Sequence, residues 1–262
     1  MVHTVAIASG KGGVGKTSIA VNSALKLALD KKRVALLDAD FGLANAHIML
    51  DQKVDVNVSD FLNGSKNIDD IIYNCFGDLK LIPGGSGILD IMNIDSQKRW
   101  EVIRSIDHLK DSVDYLFVDT PAGASDSSIE FASACDSVVI ILVGEPTSFM
   151  DAYAFIKALN LEKGIDKVNV IVNLAESEKS ANNSFEAFQK ICLKFLNIEL
   201  EFLGWLPDSK VISNSIISRK PYILNKNLDS NLRKRVNLIV NNIAGLKPVK
   251  SNNVRFFNSK LG

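Results

Sequence analysis

The sequence predicts one α/β domain, a mainly parallel twisted sheet with helices on both faces. Three observations point there. Short runs rich in β-branched residues recur along the chain, they are apolar throughout rather than alternating, and longer stretches with helical apolar spacing separate them. A strand that is apolar on both sides must be covered on both sides, which is the habit of parallel sheets with helical crossovers. The 262 residues suffice for a large core, and 47% hydrophobic against 23% charged is ordinary for a folded globular chain.

The elements follow in order. TVAIA (4–8) is the first strand, and the glycine-rich SGKGGVGKTS (9–18) leads from it into helical spacing over 16–29. RVALLDAD (33–40) and LKLIPG (79–84) read as the next strands, before a helical pattern at 97–109. DYLFVDT (114–120) and SVVIILV (137–143), the latter within the most apolar run of the chain, read as further strands. Thr147 offers a hydroxyl to cap a helix over 148–161. VNVIVN (168–173), a helix over 184–196, ELEFLGWLP (199–207) and a helix over 229–243 complete the repeat of strand and helix. Nothing in 1–246 reads as a linker, repeat or low-complexity segment, so one domain spans it. Residues 247–262 change character: a proline, polar residues, then Phe256 and Phe257 among basic residues.

Bulk properties exclude several classes. Thirty Lys and Arg balance thirty Asp and Glu, so the chain lacks the global basic footprint of a nucleic-acid binder. Cys75, Cys135 and Cys192 are too scattered for a CxxC or zinc spacing and read as reduced, mostly buried thiols. The start MVHTVAIASGK has no charged n-region or cleavage site, and SVVIILVG (137–144) is far short of the roughly 20 residues that span a bilayer. A cytoplasmic protein is expected, with peripheral contact to the inner membrane face left open.

Chemistry concentrates in the first loop. Gly10, Lys11, Gly12, Gly13, Val14, Gly15, Lys16 and Thr17 satisfy GxxxxGK[ST] directly after a strand and at the head of an apolar helix. Glycines let backbone N–H groups turn onto phosphate oxygens, and the helix N-terminus of Thr17 and Ser18 adds partial positive charge. Lys16 then reaches the β- and γ-phosphates, and Thr17 offers its hydroxyl to Mg²⁺. The fold expected is therefore a P-loop NTPase binding ATP or GTP. Acid near the metal is the second requirement. Asp119 ends YLFVD in the manner of a Walker-B carboxylate, and Asp38 and Asp40 end VALLDAD with their side chains on one side of an extended chain. Strand-end aspartates also serve as helix N-caps. Three of them at two strand tips beside this loop favour catalysis.

One residue exceeds the ordinary motif, the leading lysine, Lys11. KGGVGKT with that lysine resembles the deviant Walker A of the MinD/ParA class of ATPases, and LLDADFGLAN and FVDTPAG resemble that class's two further motifs in order and spacing. The resemblance covers residues 3–244. It implies ATP and Mg²⁺ as cofactors, a face-to-face homodimer when ATP is bound, and a Lys11 that reaches into the partner's site. By the same carry-over Asp40 positions the attacking water, Asp38 supports the metal shell with Thr17 and Asp119, and 38–45 and 119–126 are switches that sense the γ-phosphate. Asn173 and Pro207–Asp208 match the positions where the class holds adenine, though both also suit ordinary turn chemistry.

DADFGLANAHIML (38–50), LIPGGSGI (81–88) and above all GEPTSFMDAYAFIKAL (144–159) resemble the FlhG (FleN) family, MinD-like ATPases that set flagellar number and placement. That resemblance implies flagellar assembly partners, the SRP-type GTPase FlhF and C-ring components among them. Two features depart from it. The first strand begins within three or four residues of Met1, where FlhG proteins often carry a glutamine-containing extension that stimulates FlhF, and DTPAGAS is closer to MinD. FFNSKLG resembles the membrane-targeting tails of both. On a helical projection Val254, Phe257 and Leu261 share one face, with Phe256 to the side and Arg255 and Lys260 flanking, a short amphipathic pattern suited to an anionic membrane surface. The competing readings are a MinD-type division ATPase, a ParA-type partitioning ATPase, which the balanced charge disfavours, and an Mrp-type iron–sulfur carrier, which the missing CxxC disfavours.

Overall fold

A computed structural model describes residues 2–85, 95–196, 198–248 and 255–257. Strand β1 (His3–Ala8) runs into the glycine-rich loop and helix α1 (Lys16–Leu29), and β2 (Val34–Asp38) follows. Two short helices, α2 (Ala46–Met49) and α3 (Val58–Leu62), precede the two-residue strand β3 (Tyr73–Asn74) and β4 (Lys80–Ile82). Then come α4 (Ser96–Ser105), β5 (Tyr115–Asp119), α5 (Asp126–Ser133), β6 (Ser137–Val143) and α6 (Pro146–Lys163). The chain continues through β7 (Lys167–Ala175), α7 (Glu178–Phe195), β8 (Glu199–Pro207), α8 (Lys210–Ile217) and α9 (Ser230–Ala244).

Among the described residues the strands form one eight-stranded sheet in the order β3-β4-β2-β5-β1-β6-β7-β8, parallel throughout except for β3 against β4. Alternation divides the core in two. Val5, Ile7, Phe117, Val139 and Ile141 face α1, α8 and α9, whereas Ala6, Leu116, Val118, Val138 and Ile140 face α4, α5, α6 and α7. Helix α1 buries Ile19, Ala20, Val21, Ala24 and Leu25 nearly completely, which explains its apolar sequence on more than one face.

The seven strands expected are all present, and the helices differ at their ends. Helix α7 begins at Glu178, ahead of the expected 184, because Ser177 caps it by accepting from the Ser180 N–H at 3.1 Å. Helix α6 begins at Pro146, favoured in a first turn, and ends at Gly164 in the left-handed region. The expected helix over 97–109 stops at Ser105 and gives way to a 3₁₀ segment, Asp107–Asp111.

The tail differs more. Where a helical projection set Phe256 to the side of an apolar face, Phe256 and Phe257 are 3% and 8% exposed and join the core beside α4 and α5. Phe256 N–H donates to the Ala134 carbonyl and Phe257 N–H to Asp107 Oδ1, both at 3.0 Å, and Arg255 pairs with Asp136 at 3.2 Å. Phe257 has φ 59°, which an α-helix cannot pass through. The segment is thus docked at 255–257, while Val254, Lys260 and Leu261 lie outside the described residues.

Candidate nucleotide site

Parallel register gathers the site at the carboxyl ends of the strands, the place where open α/β sheets hold their ligands. Ile7 of β1 pairs with Asp119 of β5, and Asp119 pairs with Asp38 of β2, so the loop after β1 opens beside two carboxylates. The loop is shaped by its glycines. Gly13 and Gly15 take φ of 78° and 90°, which residues with a Cβ rarely adopt. Gly10 is glycine for space: a Cβ there would overlap the Asp151–Ala152 backbone of α6. Ser9 Oγ donates to the Lys11 carbonyl at 2.9 Å and braces the turn.

The two lysines of the loop have opposite surroundings. Lys16, with a side chain 8% exposed, donates from Nζ to Asp119 Oδ1 at 2.7 Å, and that carboxylate is 1% exposed. Lys11 lies 43% exposed, and its Nζ meets Glu145 Oε2 at 3.3 Å, with Glu145 60% exposed. The Ser18 hydroxyl and Asp119 Oδ2 are buried with no hydrogen-bond partner. A buried carboxylate oxygen without a partner is costly unless a cation or water meets it, and it is the feature here that suits a metal shell.

Asp38 is fully buried. Its Oδ2 accepts from the Asn45 and Ala46 N–H groups at 2.9 Å, and its Oδ1 accepts from the Asp40 N–H at 3.2 Å. Burial first and the Asp119 charge second raise its pKa to about 7, against the pull of the Ala46 N–H, Lys16 and the Asp40 N–H. Asp38 thereby fastens the loop that carries Asp40. Asp40 is half-buried, and burial raises its pKa while Lys16 opposes the rise. Among the described residues no cluster of three or more His, Cys, Asp or Glu is arranged to hold a metal unaided.

Asn173, near the end of β7, is brought onto the loop: its Nδ2 donates to the Val14 carbonyl at 2.8 Å. The amide thus braces the loop. Pro207 pairs with Ala175 across the β7–β8 ladder, and exposed Asp208 follows it, so both lie beside the end of β7. Glu145 was missed in the sequence as a partner for Lys11. The signal was present in GEPTS at the end of the strand that neighbours β1.

Against known proteins, residues 5–222 match the family model described as the CobQ/CobB/MinD/ParA nucleotide binding domain. The chain is 34% identical over 215 residues to the antiactivator FleN of Pseudomonas aeruginosa, covering 82% of this chain and 77% of that protein. It is 33% identical over 217 residues to the flagellum site-determining protein YlxH of Helicobacter pylori, covering 82% and 73%. Its fold matches that of the septum site-determining protein MinD of Pyrococcus horikoshii, solved with Mg-ADP, at a TM-score of 0.79 and 24% identity over 94% of this chain and 97% of that one.

Proposed function

The chain belongs to the CobQ/CobB/MinD/ParA nucleotide-binding family, an ATPase family, and on that basis we propose an ATP-driven dimerisation switch that regulates the number or placement of bacterial flagella. The observation that carries the switch is the contrast between the two lysines. Lys16 is buried on Asp119 and would serve its own subunit, exchanging that carboxylate for the nucleotide phosphates, while Asp119, Thr17 and Asp38 would support the metal shell. Bound Mg²⁺ supplies neutralisation of phosphate charge. Lys11 sits outside, in an exposed ion pair of a kind worth about 0–1 kcal/mol. It leaves Glu145 at little cost to enter the neighbour's site, where a cation stabilises charge on the transferring phosphoryl group. Asp40 orients the attacking water, and Asn173 Oδ1 with Pro207–Asp208 holds the adenine.

The flagellar role rests on the two relatives, named for antiactivation and for flagellum site determination. Flagellar assembly components, an FlhF-type GTPase and the C-ring among them, are the proposed partners of the ATP dimer. Among the described residues no helix is long and apolar enough to cross a membrane. Contact with an anionic membrane would therefore be peripheral and would use the tail, released from its docked position. Disruption of the gene, with flagella and division septa both counted, tests the reading. Altered flagellar number or position with normal septa is expected. Displaced septa with normal flagella would move the protein to cell division.

A further inference from the structure

The stretch LIPGGSGI has no part in the site as described, yet its two described glycines press against it. β4 ends at Ile82, and Pro83, Gly84 and Gly85 then pass along the loop from Asp38 to Ala44. The Pro83 carbonyl accepts from the Val58 N–H at 3.1 Å and ties the turn to α3. A Cβ on Gly84 would stand 2.7 Å from the Asp38 carbonyl, 3.0 Å from Ala44 Cβ and 3.3 Å from the Asp40 carbonyl. On Gly85 it would overlap the Ser59 hydroxyl and come within 2.9 Å of the Phe41 carbonyl. Ordinary contact begins at 3.4 Å, so both turn residues lie closer to this loop than any side chain allows.

Neither glycine takes a left-handed φ, so backbone conformation does not require them. The space does. Nor can the opposing loop yield freely. Phe41 is buried edge-on against Phe131, with ring centroids 5.5 Å apart, and Asp38 holds the Asn45 and Ala46 N–H groups. We propose that Gly84 and Gly85 are positioning residues: the side-chain-free turn after β4 is a backstop that sets where the Asp38–Ala44 loop, and with it the Asp40 carboxylate, stands relative to Lys16 and Asp119. This inference rests on the reading of Asp40 as the group that orients water. Densely packed surroundings transmit such a displacement rather than absorb it.

The test compares Gly84→Ala with Gly204→Ala and Asp40→Ala in the full chain. Gly204 has φ 134°, and a Cβ there would stand 2.9 Å from Ile239 Cγ1, on β8 and away from the loop, so it reports packing damage alone. A misplacement near 1 Å can cost about 100-fold in turnover, so G84A is expected to lower kcat about 10- to 100-fold while binding Mg-ADP like the native chain. G204A should lower Tm but leave kcat unchanged. If G84A does not fold, G85A carries the same comparison, since part of its clash falls on the movable Ser59 hydroxyl. Native kcat in G84A, or a fall matched by G204A at equal loss of Tm, overturns the backstop. Full turnover in D40A would instead remove the role given to Asp40 and this inference with it, whereas native kcat in G84A beside an inactive D40A overturns the backstop alone.

Discussion

Lys11 and Lys16 share one loop and are separated by burial. Lys16→Ala is expected to lose tight ATP binding, because its charge meets the phosphates within the subunit. Lys11→Ala should bind ATP but neither dimerise nor hydrolyse it, as read by light scattering and phosphate release. Retained dimerisation and full turnover in that variant would refute the trans role. Asp40→Ala should accumulate as an ATP-bound dimer with little hydrolysis; one that stays monomeric with ATP would move the catalytic role, Asp38 being next in line. The buried Asp38 also makes a pH prediction for the protein free of nucleotide and metal. Its pKa is raised from an unfolded value near 3.9 to about 7, so the folded state binds the extra proton between these limits. The resulting stability is complete below the lower value and lost as pH rises through the upper one. Tm should therefore climb as pH falls from about 8 to about 5.5, and Asp38→Asn should flatten that slope. An identical slope in the variant would place the titration elsewhere.

Helix ends and tight passages decide matters at the scale of elements. Apolar spacing placed the body of α7 but missed its first turns, which are polar apart from Ala181 and are held by the Ser177 cap. Ser177→Ala should cost about 1 kcal/mol, measurable as a fall in the urea midpoint without change in nucleotide affinity. Short elements were missed for a related reason. Helices α2 and α3 have four and five residues, and β3 has two, too few to show a period. The glycine-rich loop between β1 and α1 was legible as a pattern, because it is written as residue types at fixed spacing. Its clearance was not: Gly10 is confined by α6, which lies more than a hundred residues away in the chain. Gly10→Ala should abolish nucleotide binding, as followed by fluorescent-nucleotide titration, while far-UV dichroism stays native.

At the scale of the whole molecule, the described end of the tail is packed into the core. Phe256 is almost completely buried, and Phe256→Ala should destabilise the chain by about 3 kcal/mol or more. A Tm equal to native would show that the segment contributes nothing. Membrane contact would require Phe257 to leave the core, so one tail binds weakly and two on an ATP dimer bind with avidity. Cosedimentation with anionic vesicles is expected only with ATP and is expected to vanish on deletion of 251–262, with ATP binding intact. Equal binding with ADP, or binding that survives the deletion, would defeat the nucleotide-gated anchor.

The sequence by itself determined the parallel α/β architecture, the glycine-rich loop between β1 and α1, and the aspartates at the tips of β2 and β5. Each is written locally, as continuous apolar runs or as residue types at short spacing, and local patterns survive without knowledge of contacts. Only the tertiary structure decided that Lys16 rests on Asp119, that Asp38 fastens its own loop, and that Asn173 braces Val14. It also decided that Phe256 and Phe257 turn into the core rather than along one face of a helix. Most of these are meetings of distant segments, and the fastening by Asp38 depends on how its own loop turns back. Their energies come from burial and register, which a one-dimensional pattern does not contain.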